Sequence, residues 1–251
     1  MSSEPRLGPW MGLAVAITRP LSHFLTKRRW EGQQHIPRRG GVILAANHLS
    51  WADPFTLGHF VFKAGRIPRF MAKESLFRAP VIGRVVRGAN QIAVHRGTSD
   101  AAAALSDAVQ ALRDGEAVLI YPEGTITRDP DDWPMRPKTG IARLALMSGA
   151  PIVPIAQWGA QDILGRHQRL KLFPRRTIVV HALDPVYPAP SETGEQPSRE
   201  ALRELTDHVM RLIRDELAVV RGQAAPEGVW DPESEERISP QPPPAPDEGA
   251  A

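Results

Sequence analysis

Three short, unbroken apolar runs constrain what this chain can fold into: Val42-Ile43-Leu44-Ala45-Ala46, Ala117-Val118-Leu119-Ile120 and Ile152-Val153-Pro154-Ile155-Ala156. A strand with one wet face alternates apolar and polar residues, so continuous runs of this length belong to strands covered on both sides. Helix signals separate them. Pro54 opens a helix over residues 54–62 with Asp53 near its cap, and residues 98–113 form another, capped by Ser99 or Asp100. That second helix carries Leu105, Val109 and Leu112 on one face and stops at Gly115. Further strands are predicted at 30–35, 69–72 and 91–94, a helix or irregular segment at 81–87, and a helix at 139–147. Extended runs at 170–172 and 177–182 read as an antiparallel edge. An amphipathic helix follows over 198–220 through Leu202, Leu205, Val209, Leu212 and Leu217. Strand, helix and strand in series predict an α/β fold, a single domain whose largely parallel mixed sheet is flanked by helices. At 251 residues the chain is long enough to bury such a core.

Charge divides the chain unevenly. Residues 223–251 hold seven acidic residues against Arg237, a balance of −6, so a total of +3 leaves +9 on the rest. A basic domain favours nucleic acid, an anionic membrane or phosphorylated small molecules. No zinc-finger spacing, aromatic-basic RNA motif or heptad accompanies the charge, which argues against nucleic acid. The absence of cysteine excludes disulfides and a cysteine acyl-enzyme. Residues 1–29 read as a helical segment lying in a membrane surface: Trp10, Met11, Leu13, Val15, Ile17, Leu21, Phe24 and Leu25 precede Lys27-Arg28-Arg29. Arg19-Pro20 breaks the apolar stretch well short of the roughly 18 to 20 residues a bilayer span requires. An ordinary core helix with a basic end is the alternative. Residues 30–221 form the predicted α/β domain, and 222–251, rich in Pro, Glu, Ala and Ser, are predicted to be disordered.

The chemistry concentrates just after two of the apolar runs. Asn47-His48-Leu49-Ser50-Trp51-Ala52-Asp53 sets an imidazole five residues before a carboxylate at a strand end, the makings of a general base. A lone pair of this kind is more often structural. Tyr121-Pro122-Glu123-Gly124-Thr125 supplies a second polar loop in the same position after its own strand, and two such loops converge on one edge of a sheet.

Together with Gly88-Ala89-Asn90-Gln91-Ile92-Ala93-Val94-His95-Arg96 and Val153-Pro154-Ile155, these blocks resemble the glycerolipid acyltransferases of the 1-acylglycerol-3-phosphate acyltransferase type. The resemblance spans residues 40–158. It implies that His48 is the general base and Asp53 its partner, acting on an acceptor hydroxyl that attacks an acyl thioester without a covalent enzyme intermediate. It implies acyl-CoA or acyl carrier protein as co-substrate, no other cofactor and no metal, a lysophospholipid acceptor, and a peripheral position on the cytoplasmic face of the cell membrane. Arg96, Lys73 and Arg128 are the cations for the acceptor phosphate, with Gly124 and Thr125 offering amide and hydroxyl donors. Glu123 is expected to bind acceptor hydroxyls or to orient Arg96, Pro154 to shape the acyl-donor side, and Asn47 and Ser50 to complete the block, Ser50 by bonding the loop. The chain departs from the pattern after Glu-Gly-Thr: many members place Arg next, whereas Ile126 and Thr127 precede Arg128 here.

Other readings stay open at this level. A metallohydrolase needs more ligands at short spacing than His59, His95 and His181 supply. A non-catalytic lipid-binding protein would have no use for His48 and Asp53 together. The acceptor is alternatively glycerol 3-phosphate or another lysolipid or glycolipid.

Overall fold

A computed structural model of the chain describes residues 22–94, 98–166, 170–189 and 197–239, together with Trp10, Gly12, Ala16 and Pro20. In chain order the strands are β1 (Thr26–Glu31), β2 (Val42–Ala46), β3 (Pro68–Lys73), β4 (Ile92–Val94), β5 (Ala117–Ile120), β6 (Ile152–Trp158), β7 (Arg176–Ala182), β8 (Val229–Asp231) and β9 (Glu236–Ile238). The helices are α1 (Asp53–Lys63), α2 (Glu74–Arg78), α3 (Ile82–Gly88), α4 (Thr98–Arg113), α5 (Gly140–Ser148), α6 (Gln161–Leu164) and α7 (Arg199–Arg221).

Seven strands make one sheet in the order β1-β7-β6-β2-β5-β3-β4. Every neighbouring pair is parallel except β6 and β7, so β1 and β7 form the antiparallel edge. β2 lies at the centre with all five residues buried, its Ile43 opposite Val118 on one side and Ile152 on the other. Alternate β2 side chains go to opposite faces. Ile43 and Ala45 pack under Leu112 of α4, Ile141 and Leu144 of α5, and Val209 and Ile213 of α7. Val42, Leu44 and Ala46 meet Leu57, Phe60 and Val61 of α1. Each large side chain so buried contributes about 1.5–3 kcal/mol, which is why an uninterrupted apolar run settles in the middle of the sheet. Gly41 lets α4 close on the start of β2, because a Cβ there would lie 2.2 Å from the Leu112 carbonyl oxygen.

Four expectations change, three of them toward the ends of the chain. Residues 26–29 are strand, not the end of a helix: Lys27, Arg29 and Glu31 face outward while Thr26, Arg28 and Trp30 turn inward, and β1 pairs with β7 along its whole length. A period of two was hidden in a charged run. The strand stops at Gly32, which is left-handed at φ 76°, and residues 33–35 form one 3₁₀ turn. Of residues 170–172, Leu170 alone makes an isolated bridge, to Leu164. Residues 222–239 are not disordered; they fold into the β8–β9 hairpin, which docks on the loop ahead of α5 through a bridge between Trp230 and Met135. Most of the proposed membrane segment, and residues 240–251 of the tail, lie outside the described residues. Among the described residues no helix is long and apolar enough to cross a membrane.

Candidate active site

The carboxyl ends of β2, β5 and β6 lie side by side, and the loop after β2 is fastened to β6 before it delivers any chemistry. Asn47 does the fastening. Its side-chain amide donates to the Gln157 carbonyl at 3.0 Å, its side-chain oxygen accepts the Gln157 N–H at 2.9 Å, and the Gln157 side chain donates to the Asn47 carbonyl at 2.8 Å. The Ser50 hydroxyl lies 2.9 and 2.7 Å from the carbonyl oxygens of Ala160 and Leu164 and accepts the Ala52 N–H. Both residues are fully buried. Their polar atoms are spent inside the protein, so Asn47 and Ser50 shape the loop and do not face a ligand.

Asp53 begins α1 and turns its carboxylate back into this loop. One oxygen, Oδ2, accepts three hydrogen bonds: from His48 Nδ1 at 2.8 Å, from the Leu49 N–H at 2.7 Å and from the Ser50 N–H at 2.9 Å. The Asp53 side chain is 0 % exposed and that of His48 14 % exposed. A carboxylate held this way accepts the hydrogen bond of an Nδ1–H and leaves the lone pair on Nε2. The Tyr121 ring stacks on the imidazole, with centroids 4.0 Å apart and planes 14° from parallel, so His48 is gripped on one edge and one face. Tyr121 lies in the second motif, yet its role as a stacking partner was not legible from its position there. The Tyr121 hydroxyl is buried with no hydrogen-bond partner among the described residues.

The loop after β5 reaches the same point from the other side. A tight turn, closed by the Gly124 N–H on the Tyr121 carbonyl at 2.9 Å, carries Gly124 at φ 73°, a conformation that favours glycine. Glu123 is buried inside this turn. Oε1 accepts the His48 N–H at 2.9 Å and Oε2 the Met135 N–H at 3.0 Å, while the Thr127 N–H donates to the His48 carbonyl at 2.8 Å. Burial pushes the Glu123 carboxyl up to about 8, against the pull of its two backbone donors. With both oxygens occupied by main chain, Glu123 holds the backbone of His48 in place. Among the described residues these oxygens meet main-chain donors where acceptor hydroxyls were expected, and the expected partner Arg96 lies outside the described residues.

Residues 27–158 match the family model described as Acyltransferase. The chain belongs to the acyltransferase family. It is 28 % identical over 186 residues to a 1-acyl-sn-glycerol-3-phosphate acyltransferase of Bacillus subtilis (strain 168), a match covering 73 % of this chain and 84 % of that protein. It is 31 % identical over 132 residues to a protein of the same name from Borreliella burgdorferi, covering 52 % of this chain and 51 % of the relative. The crystal structure of the 1-acyl-sn-glycerophosphate (LPA) acyltransferase PlsC from Thermotoga maritima shares the fold, with a TM-score of 0.63 at 22 % identity over 86 % of this chain and 81 % of that one.

Two of the three predicted cations of this acyltransferase are described. Lys73 is exposed where β3 passes into α2. Arg128 is exposed, and Ile126, which stands where many members carry Arg, is 8 % exposed and packs inward. Arg96 lies outside the described residues. Thr125 is half-buried beside Gly124, and Pro154 is buried within β6 opposite Ala45, inside the sheet. The fold adds a cation that no motif announced. Lys138 donates its backbone N–H to Pro122 at 2.9 Å, and its side chain runs along Gly124, where an added Cβ would be 3.8 Å from the ammonium nitrogen. Trp51 and Phe55, 46 % and 60 % exposed, flank the His48 loop and the start of α1. Trp51 lies within the first motif and Phe55 two residues past it, and neither carried a further signal in sequence. Among the described residues no cluster of three or more His, Asp or Glu could hold a metal ion.

Proposed function

We propose that this acyltransferase moves a fatty acyl group from an acyl thioester, acyl-CoA or acyl carrier protein, to the free hydroxyl of 1-acylglycerol 3-phosphate, giving phosphatidic acid. The observation that carries the reading is the His48 Nδ1–Asp53 Oδ2 contact of 2.8 Å, in which the only solvent-reached member is the imidazole. His48 Nε2 takes the proton of the acceptor hydroxyl as its oxygen attacks the thioester carbonyl carbon. The tetrahedral intermediate then collapses, the carbon–sulfur bond breaks, and the imidazolium returns the proton to the departing thiolate. Asp53 favours the imidazolium in flight, and help of this kind typically gives about 10² to 10⁴ in rate. The similarity to the Bacillus subtilis protein over 84 % of its length supports lysophosphatidic acid as acceptor.

Arg96 keeps its assignment to the acceptor phosphate on the strength of its motif. Lys138, beside the Gly124 turn, is assigned to the same phosphate. The substrates are membrane lipids, and the protein meets them from the surface: Trp51, Phe55 and the 71 % exposed Phe24 supply apolar contact. Arg28 and Lys63 line a groove of about 490 Å³ next to Phe24 and contribute charge. Purified protein given labelled acyl-CoA and a panel of lysophosphatidic acid, glycerol 3-phosphate and other lysolipids should yield labelled phosphatidic acid first. Equal transfer to an acceptor without phosphate would overturn the assignment.

A further inference from the structure

The last residue of α7 and the segment that follows it make three separate attachments, each of which reaches one loop. That loop, residues 127–136, lies between the Glu123-Gly124-Thr125 turn and α5. At the end of α7 the Arg221 guanidinium sits between the indoles of Trp133 and Trp158, 4.1 and 4.2 Å from their centroids. Further on, the Trp230 carbonyl accepts the Arg136 N–H at 2.8 Å, and Asp231 pairs with the Arg136 side chain at 3.2 Å. Finally Arg237 reaches Asp129 at 2.7 Å and Asp131 at 3.1 Å. The Asp129 side chain is 0 % exposed, with the Arg237 guanidinium in contact and those of Arg214 and Arg221 nearby.

The far side of the same loop touches the catalytic histidine. Met135, which bridges to Trp230, donates its N–H to Glu123. Trp133, stacked on Arg221, accepts the Thr127 hydroxyl at 2.6 Å, and the Asp129 N–H donates to that hydroxyl oxygen at 3.2 Å. Glu123 and Thr127 in turn hold the two ends of the His48 peptide unit, its N–H and its carbonyl.

We infer that residues 221–238 are a strap that sets the position of His48 through the 127–136 loop, with Arg237 its principal positioning residue. The inference rests on the assignment of His48 as general base. No group of the strap meets substrate; it fixes the main chain from which His48 projects. Misplacing a catalytic group by about 1 Å can cost on the order of 10²-fold in rate. Loosening the strap therefore lowers turnover and leaves substrate binding nearly intact.

The test uses the full chain, with acyl-CoA and lysophosphatidic acid, and compares wild type, His48→Ala, Arg237→Ala and Arg237→Lys. Arg237→Ala should lower kcat about tenfold or more with each KM within about twofold, while circular dichroism stays native at the assay temperature. Arg237→Lys, which keeps the charge beside Asp129, should recover most of the loss. In a Glu123→Gln background the further loss from Arg237→Ala should shrink, because both substitutions act along one path. If Arg237→Ala does not fold, Arg237→Gln carries the same cycle. Wild-type kcat in Arg237→Ala beside an inactive His48→Ala would overturn the strap. So would losses that multiply independently in the double variant. Activity retained by His48→Ala would instead remove the reading beneath it, and the variant that stays active tells the two failures apart.

Discussion

The loops after β2 and β5 end at the same edge of the sheet, both rich in polar residues, and they use those residues in opposite ways. The first leaves one polar side chain in reach of solvent, His48, and buries its acid partner entirely. The second withdraws its own acid, Glu123, onto two backbone N–H groups. A general base has to be reached by the proton it removes, whereas a group that fixes a backbone works best where water cannot compete for its hydrogen bonds. One loop presents the imidazole; its neighbour supplies the mould that holds it.

The largest effect expected on this contrast comes from removing the exposed member. His48→Ala should lower kcat by about 10²-fold or more with little change in Tm, since Asp53 keeps the Leu49 and Ser50 N–H donors when the imidazole is removed. Asp53→Asn should be comparably impaired, because an amide in place of the carboxylate no longer accepts all three donors that converge on Oδ2. Steady-state acyl transfer beside a thermal melt checks both. Near-normal turnover in His48→Ala would break the division of labour at its root.

Next is the phosphate contact. Arg96→Ala should raise the KM for the phosphorylated acceptor by an amount corresponding to roughly 1.5–3 kcal/mol, with a smaller change for the acyl donor. Lys138→Ala should move the same parameter in the same direction. Arg128→Ala should stay near wild type, since the buried Ile126 has taken the place next to the Glu-Gly-Thr turn. Acceptor titrations on the three variants decide it, and an acceptor dependence unchanged in Arg96→Ala removes that residue from the site.

Glu123→Gln sharpens the comparison from the buried side. Gln keeps one acceptor oxygen and turns an N–H toward a backbone N–H, leaving an unpaired buried donor worth about 1–3 kcal/mol of stability. It also removes a titration. The folded carboxyl sits at about 8 against an ordinary 4.5, so between these values the folded chain holds a proton that the unfolded chain has released. Stability from this group is therefore full below 4.5, falls as pH rises through that window and levels off above 8. Denaturant midpoints measured across the window should show that decline in wild type and a flatter profile in Glu123→Gln. A wild-type slope that persists in the variant assigns the titration elsewhere.

The smallest effect is reserved for Tyr121→Phe. The ring that stacks on His48 remains, and the hydroxyl that is lost has no partner among the described residues. Turnover should stay within about twofold of wild type and stability should hold or rise slightly. Tyr121→Ala, which removes the ring, should lower kcat; if the two variants behave alike, stacking has no part in orienting the imidazole.

Much of this was legible in the residues alone. Unbroken apolar runs at 42–46, 117–120 and 152–156 can only be buried on two faces, and helix signals between them force parallel connections, so the central sheet followed from local chemistry. His48 and Asp53 were legible as a pair because they sit five residues apart at a strand end, close enough for the local chain to join them. Composition misled where charge concealed contact. The strand at Thr26–Glu31 looked like the basic end of a helix, and the acidic, proline-rich stretch after Gly222 looked unstructured. Composition measures what a segment can bury by itself, and β1 and the strap are ordered by surfaces elsewhere in the chain: β7 for one, the 127–136 loop for the other.

What sequence by itself determined, then, is the central strands, the helices between them and the local pairing of His48 with Asp53. Only the tertiary structure decided which polar residues face outward. Asn47, Ser50 and Glu123 share motif positions with His48, but their partners, Gln157, Ala160 and Leu164, and Met135, are brought to them by strand order and by a loop packed from behind. A motif fixes which side chains are near one another along the chain. Whether each is spent on the protein or left for a substrate depends on hydrogen-bond partners that arrive from far away, and those are set when the sheet closes.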